Sequence, residues 1–183
     1  PAKVLSLKEL AKIPGVKNMW VLFLTSCGIE SATDNWGSTF LVEFKGMAAD
    51  HAAKIMIFYF VGFTLGRLLS SILATKLSCW KIIRMGMAVM GLAMVLLLLP
   101  LPGFTVTLAL FLIGMGNSPL FPNFTYLTPQ NFGADISQSV IGSQMAASNT
   151  GFLVAPLLCG LLGQAFGMGV FPVYLAVFFV CLT

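Results

Sequence analysis

Charged residues are scarce in this chain, and their scarcity decides the class of protein before any motif is considered. Asp, Glu, Lys and Arg make up 9% of the 183 residues, apolar residues make up 58%, and the mean hydropathy is +0.95. A soluble domain carries roughly a quarter charged residues. The composition therefore excludes an ordinary soluble domain and indicates an integral membrane protein that lies in the lipid bilayer.

The residues of common enzyme and metal sites are also few. His51 is the single histidine, and the chain contains no H-E-x-x-H, G-x-S-x-G or P-loop pattern. The four cysteines lie too far apart for a metal-ligand spacing: Cys27, Cys79, Cys159 and Cys181. We expect neither enzyme activity nor a metal site nor a bound cofactor. The net charge of +4 does not indicate a nucleic-acid partner, because the basic residues fall in particular loops.

Long apolar segments predict an all-α bundle of six membrane-spanning helices. The first five are expected at residues 16–43, 53–74, 82–99, 104–127 and 137–166, and the sixth begins near Gly169. Only 15 residues run from Gly169 to Thr183, fewer than the roughly 20 that a span needs. Since the chain also begins at Pro1, we expect a fragment cut at both ends, with its last helix truncated. Residues 16–183 would form the transmembrane domain.

Residues 1–15 are expected to form a cytoplasmic linker with a short amphipathic helix. Ser6 and Glu9 have the spacing of a capping box, and Pro14-Gly15 ends the segment. The alternative is a plain flexible linker. Further along, Asp50 and Asp135 are expected to cap the second and fifth spans.

The basic residues predict the orientation. On one side of the membrane the sequence places eight, and on the other side it places Lys45 and Lys54. Because cytoplasmic loops carry the excess of Lys and Arg, both ends of the fragment are expected in the cytoplasm, with the protein in the cell membrane. The eight are Lys3, Lys8, Lys12, Lys17, Arg67, Lys76, Lys81 and Arg84.

Two carboxylates occupy the middle of the first predicted span. Glu30 and Asp34 are four residues apart and therefore share one helix face with Gly37. An ionisable group in hydrocarbon costs roughly 2.5–3.5 kcal/mol, so we expect the pair to face a wet cavity. Burial and a like-charged neighbour would favour protonation of one carboxyl, which makes the pair a proton or solute site. The alternative is a structural pair satisfied by water or by another helix.

Further polar residues are candidates for contact with a solute. Trp36 either stacks on the flat face of a solute or packs as an ordinary aromatic. The asparagines either orient a solute or satisfy backbone at a kink near Pro119 or Pro122. Gln144 and Ser148 share a helix face that either lines the cavity or bonds to another helix. The candidates are Asn35, Trp36, Asn117, Asn123, Gln144 and Ser148.

Small residues recur every four positions on two spans, which lets helix backbones approach closely. The six spans divide into two triplets, and the first span of each carries a polar centre. This pattern is typical of a transporter built from two inverted three-helix repeats. The two stripes are Gly62, Gly66, Ser70 and Ala74, and Ala147, Gly151, Ala155, Cys159 and Gly163.

Three motifs resemble the C-terminal six-helix half of a major facilitator superfamily transporter. The basic lead-in resembles the linker between the halves of that family. The run from Gly66-Arg67 to Arg84 is similar to the loop motif between spans eight and nine, with Thr75 and Ser78 replacing its usual Asp and Gly. Phe121-Pro-Asn-Phe-Thr125 is most similar to the fucose-permease-like branch of sugar:proton symporters.

The resemblance implies a secondary transporter that moves a small polar solute, a sugar, by alternating access with proton coupling. It assigns Arg67 to a cytoplasmic gate and implies that the N-terminal six-helix half of a twelve-helix carrier is the missing partner. The proton gradient would supply the driving force. Two alternatives stay open: an efflux carrier for amphipathic compounds, and a transport-inactive receptor or scaffold on the same fold.

Overall fold

Eight α-helices account for most of the residues that the structure describes. The computed structural model describes residues 5–99 and 103–183, and this part of the chain contains helices and no strand. A short 3₁₀ turn at Met168–Val170 leads into the last helix. The predicted α-helical bundle is confirmed. The helices are α1 Leu7–Leu10, α2 Val16–Glu43, α3 Ala49–Leu73, α4 Cys79–Leu98, α5 Gly103–Asn117, α6 Leu120–Phe132, α7 Ala134–Phe166 and α8 Phe171–Leu182.

Several boundaries follow local sequence rules, and two predicted caps are wrong. α2 begins and ends at the predicted residues. Ala48 rather than Asp50 precedes the first turn of α3, and the Asp50 carboxylate instead pairs with Lys54 at 3.7 Å. Gly133, with φ 84°, sets the start of α7, so Asp135 falls inside the first turn. There its charge complements the helix dipole.

The short α1 is anchored at the start of α7. The predicted capping box is confirmed, since the Ser6 backbone N–H donates to Glu9 Oε2 at 2.8 Å and the Glu9 N–H donates to Ser6 Oγ at 3.4 Å. Leu10 is buried against Val16 and Val140. These contacts hold the described part of the lead-in against the bundle. Residues 1–4, including Lys3 of the predicted basic set, lie outside the described residues.

The predicted kink in the fourth span is confirmed as a break between two helices. α5 ends at Asn117 and α6 begins at Leu120, with Pro119 at its cap. Proline cannot donate the hydrogen bond that would continue α5. Residues 100–102, which follow the predicted third span, lie outside the described residues.

Four helical segments of the described residues are long and apolar enough to cross a membrane. α2 has 28 residues and is long enough to cross a membrane. It is not among the four segments, because its polar side chains lower its mean hydropathy. α8 is apolar and shorter. The chain is therefore a multi-pass membrane protein. The four segments are Ala49–Leu73, Cys79–Leu98, Gly103–Phe132 and Ala134–Phe166.

The helix contacts are related in pairs, as two repeats require. α2 packs most extensively against α7, and α3 against α5. In two equivalent repeats, α2 corresponds to α5–α6, α3 corresponds to α7, and α4 corresponds to α8. The contact of α2 with α7 in one repeat order is then the contact of α5 with α3 in the other. The α4–α5 and α2–α8 contacts interchange in the same way. The packing therefore supports the predicted pair of inverted three-helix repeats.

Glycines make the two central contacts possible. A β-carbon at Gly66 of α3 would collide with the Met115 carbonyl of α5, and one at Gly151 of α7 would collide with the Leu24 carbonyl of α2. Each pair brings two backbones together without an intervening side chain. The small-residue stripes are therefore packing surfaces in this structure.

We predict opposite effects for two Gly→Ala changes on α7. Gly151→Ala should lower the free energy of unfolding by roughly 1–3 kcal/mol, because the new methyl group meets the α2 backbone. Gly142→Ala should be neutral or stabilise by up to about 1 kcal/mol, because no atom lies within 4 Å of its added β-carbon. Thermal unfolding in detergent measures both, and equal melting temperatures would contradict the packing.

Candidate functional site

The carboxylate pair lies where α2 faces α3. The two helices are joined by the loop 44–48 and run antiparallel. Gly37 packs against Met56, whose Sδ would lie 2.8 Å from a β-carbon at Gly37. Asp34 lies one turn before Gly37 on α2, and Tyr59 lies one turn after Met56 on α3. Because the helices are antiparallel, Asp34 therefore faces Tyr59. Asp34 is exposed, and Glu30, one turn further, is half-buried.

Three charged side chains form one electrostatic cluster, which we call the charged cluster: Glu30, Asp34 and Arg67. Glu30 lies close enough to Asp34 to be repelled by its charge and close enough to Arg67 to be attracted by it. Arg67 forms no ion pair within 4 Å among the described residues, and its guanidinium lies over the Phe63 ring at 4.6 Å. With both acids ionised, the formal charge of the charged cluster is −1.

Tyr59 of α3 lies close to the two carboxylates of α2. Its side chain is 1% exposed, and its hydroxyl is the only buried side-chain polar atom of the described residues that lacks a hydrogen-bond partner. The hydroxyl lies within hydrogen-bonding reach of Asp34 without the geometry of a fully formed hydrogen bond, and it interacts electrostatically with both acids. An unsatisfied buried hydroxyl is unusual, because it keeps the cost of desolvation without a compensating bond.

Arg67 also lines a cavity of about 910 Å³ between α3, α6 and the start of α4. Its wall combines hydroxyl and amide groups with aromatic rings. Arg67 is exposed and is shared by the cavity and the charged cluster. The polar and aromatic lining includes Ser70, Ser71, Trp80, Phe121, Asn123, Tyr126 and Gln130.

Asn117 and Asn123 occupy different environments at the break between α5 and α6. Ser26 Oγ donates to Asn117 Oδ1 at 2.8 Å, and Asn117 Nδ2 donates to the Ser26 carbonyl at 3.1 Å, which joins α2 to α5. Asn123 Nδ2 donates to the Pro119 carbonyl at 2.7 Å and to Ser70 Oγ at 3.1 Å. Asn123 borders the cavity, whereas the contacts of Asn117 are those of a helix-to-helix bond.

Gln144 and Ser148 point into the bundle. Gln144 is fully buried and exchanges hydrogen bonds of 3.0 Å with Thr128 of α6. Ser148 Oγ donates to the Met145 carbonyl at 2.9 Å. The Gln144 contact matches the alternative that the sequence left open, helix-to-helix bonding, whereas Ser148 bonds within its own helix. A solute contact for either residue stays a prediction.

Trp36 and Asn35 are neighbours in the sequence, but their side chains lie in different environments. Trp36 Nε1 donates to the Pro156 carbonyl at 2.7 Å, and its ring packs on Gly160. Asn35 is exposed and donates to the Ser31 carbonyl at 2.8 Å, which leaves its side-chain oxygen free of any described partner. The contacts of Trp36 are those of a packing residue, while Asn35, like its neighbour Asp34, is exposed.

Sequence reasoning missed Tyr59. Its one signal was position, since it lies on the face of α3 that carries Arg67 and the glycine stripe. No group of three or more His, Cys, Asp or Glu side chains that could hold a metal ion occurs among residues 5–99 and 103–183.

A helical bundle with a charged, partly open wall near the middle of its first span is typical of one half of a membrane transporter. The comparisons with known proteins agree. A sequence model of the Major Facilitator Superfamily matches residues 1–156, and the chain belongs to this superfamily.

A solved structure of the Escherichia coli fucose:proton symporter is similar to this chain. The TM-score is 0.74 at 23% sequence identity, over 96% of this chain and 44% of the solved chain. The match supports the superfamily fold, and this chain spans less than half the length of that symporter. A search of curated proteins finds no match.

We predict that Ser26 and Asn117 stabilise the bundle jointly. A double-mutant cycle with Ser26→Ala and Asn117→Ala should give a coupling free energy of about 1 kcal/mol, typical of a hydrogen bond between membrane helices. Unfolding in detergent measures the four proteins. Additive effects would show that the two residues do not act together.

Proposed function

We propose that this chain is the C-terminal half of a secondary transporter that moves a small polar solute, a sugar, by alternating access with proton coupling. The N-terminal six-helix half would supply the opposite wall. The carrier would lie in the cell membrane with both ends of this half in the cytoplasm. The 44% share of the fucose:proton symporter that this chain spans supports the division into halves.

The main support for the proposal is the formal net charge of −1 on the charged cluster. Two acids and one base leave one negative charge in excess, held between α2 and α3 beside a half-buried carboxyl. A net charge is costly beside the half-buried Glu30 carboxyl, and one bound proton makes the charged cluster neutral. Such a site favours different conformations in its charged and neutral forms, which is what coupling to a proton gradient needs.

Groups suited to bind a sugar lie next to the charged cluster. Asp34 and the side-chain oxygen of Asn35 are exposed acceptors, and Asn123 and Arg67 border the adjoining cavity. Hydroxyl groups of a sugar can donate to these oxygens and accept from the guanidinium. The fold similarity to a fucose:proton symporter supports a sugar as the solute.

Arg67 would link the charged cluster to the gate. While Glu30 is ionised, it attracts Arg67 into the bundle, and protonation of Glu30 removes that attraction. Arg67 would then be free to engage groups in the cavity on the cytoplasmic side. The two arrangements provide the pair of states that a ligand or proton can bias.

A second candidate is an efflux carrier for amphipathic compounds. The observation that favours it is the aromatic lining of the cavity by Trp80, Phe121 and Tyr126. An uptake panel that includes a hydrophobic cation beside the sugars separates the two candidates.

We predict that sugar uptake by the full-length carrier in proteoliposomes is driven by an imposed pH gradient. Glu30→Gln or Asp34→Asn should reduce gradient-driven uptake by at least tenfold, because each removes a group that can take up and release the proton. Asp50→Asn is the matched control, since Asp50 lies at the exposed start of α3 and pairs only with Lys54 among the described residues.

Two results would contradict the proposal. Gradient-driven uptake that both substitutions leave at the level of Asp50→Asn would make the pair structural. The absence of uptake for every sugar, together with transport of the hydrophobic cation, would favour the efflux carrier.

A further inference from the structure

The unpartnered hydroxyl of Tyr59 is best explained as part of the proton site. The hydroxyl is fully buried, and the ring is fixed in place by its surroundings: the Tyr59 backbone packs against Gly114 of α5, and the Phe60 ring lies edge-on to the Tyr59 ring, with 5.1 Å between the ring centroids. Phenylalanine would fill the same space without the cost of desolvating a hydroxyl. Such an unpaired group is informative when an acceptor that changes charge lies beside it.

That acceptor is Asp34. The antiparallel register fixed by Gly37 and Met56 puts Tyr59 opposite Asp34. Asp34 is exposed on one side and has the phenol on the other. A phenol donates a short, charge-assisted bond to a carboxylate more strongly than it bonds to a neutral carboxylic acid.

We propose that Tyr59 is a positioning residue of the proton site, which donates a hydrogen bond to the ionised Asp34 carboxylate in one step of the cycle and releases it when Asp34 takes up a proton or a solute hydroxyl. The proton that Asp34 takes up comes from water and adds to a carboxylate oxygen. Tyr59 keeps its own proton throughout, so that only the hydrogen bond is made and broken. The structure corresponds to the released arrangement.

Few other charges face this site. Glu30 contributes from α2 and Arg67 from α3, and Cys27 lies one turn from Glu30. The helices α5, α6 and α8 contain no Asp, Glu, Lys or Arg, and the one acid of α7 is Asp135, in its first turn. The effect of the Tyr59 hydroxyl on Asp34 can therefore be separated from other ionisable groups by substitution.

Infrared difference spectroscopy of the full-length carrier tests the inference without any solute. A pH change should produce a carboxylic-acid band that Asp34→Asn removes, which identifies it as Asp34. Tyr59→Phe should shift the frequency of that band, because the phenol no longer contacts the carboxyl group. Asp34→Asn should in turn perturb the tyrosine band of the wild-type protein. Tyr174→Phe is the matched control, since the Tyr174 hydroxyl already donates to the Ala155 carbonyl at 2.7 Å.

Stability provides a second contrast. Tyr59→Phe removes no hydrogen bond present in the structure and should leave the melting temperature unchanged or higher, whereas Tyr174→Phe should lower it. In sugar exchange, Tyr59→Phe should change the ratio of the rates at acidic and alkaline pH by about tenfold, the effect of one charge-assisted hydrogen bond. Tyr174→Phe should leave that ratio unchanged.

The outcomes separate this inference from the proposed function on which it rests. An Asp34 band that Tyr59→Phe does not move would overturn the role of Tyr59, whatever the transport assays give. No Asp34 band at any pH would overturn it as well, and so would a Tyr59→Phe protein that fails to fold. A band that moves in Tyr59→Phe but not in Tyr174→Phe supports the inference, even where the carrier moves none of the sugars tested.

Discussion

A carboxylate in the middle of a membrane-spanning helix constrains everything around it. Glu30 and Asp34 cannot face hydrocarbon without a large free-energy cost, so the face of α2 that carries them must lie against water or against polar partners. The structure meets this requirement by leaving Asp34 on an open face and by setting Tyr59 and Arg67 of α3 beside the pair. The side of α2 that carries Leu24, Gly28 and Ser31 packs closely against α7.

That packing depends on backbone contacts rather than on large side chains. Apolar side chains gain little by leaving lipid for one another, so close approach through glycine and a few buried hydrogen bonds stabilises the bundle. Gly66 against Met115 and Gly151 against Leu24 are equivalent contacts in the two repeats, and the bond between Ser26 and Asn117 joins the first helices of both. Helices joined in this way can move as one body, which suits a carrier whose halves rock against each other.

Local rules predicted the parts of this arrangement that depend on one helix alone. The spacing of Glu30 and Asp34 fixed their common face, and Pro119 fixed the break in the fourth span, because both depend only on neighbouring residues. The rotation of each helix depends on distant partners. For that reason the sequence left the face of Gln144 and Ser148 open between two roles, and it gave no reason to single out Tyr59. The predicted caps at Asp50 and Asp135 were wrong because both helices start earlier than expected. A helix start that moves by two residues turns a capping residue into a residue of the first turn.

Accessibility of the open face of α2 to water tests the central claim most directly. Asn35→Cys would be introduced into a full-length carrier in which the native cysteines are replaced, and treated with a water-soluble, membrane-impermeant thiol reagent. Val95→Cys, on the exposed apolar face of α4, is the control for a position in contact with lipid. The account predicts rapid labelling at Asn35, slowed by a transported sugar, and labelling at Val95 only by a lipid-soluble reagent. Labelling of Asn35→Cys only by the lipid-soluble reagent would place the carboxylate face in lipid and contradict the account.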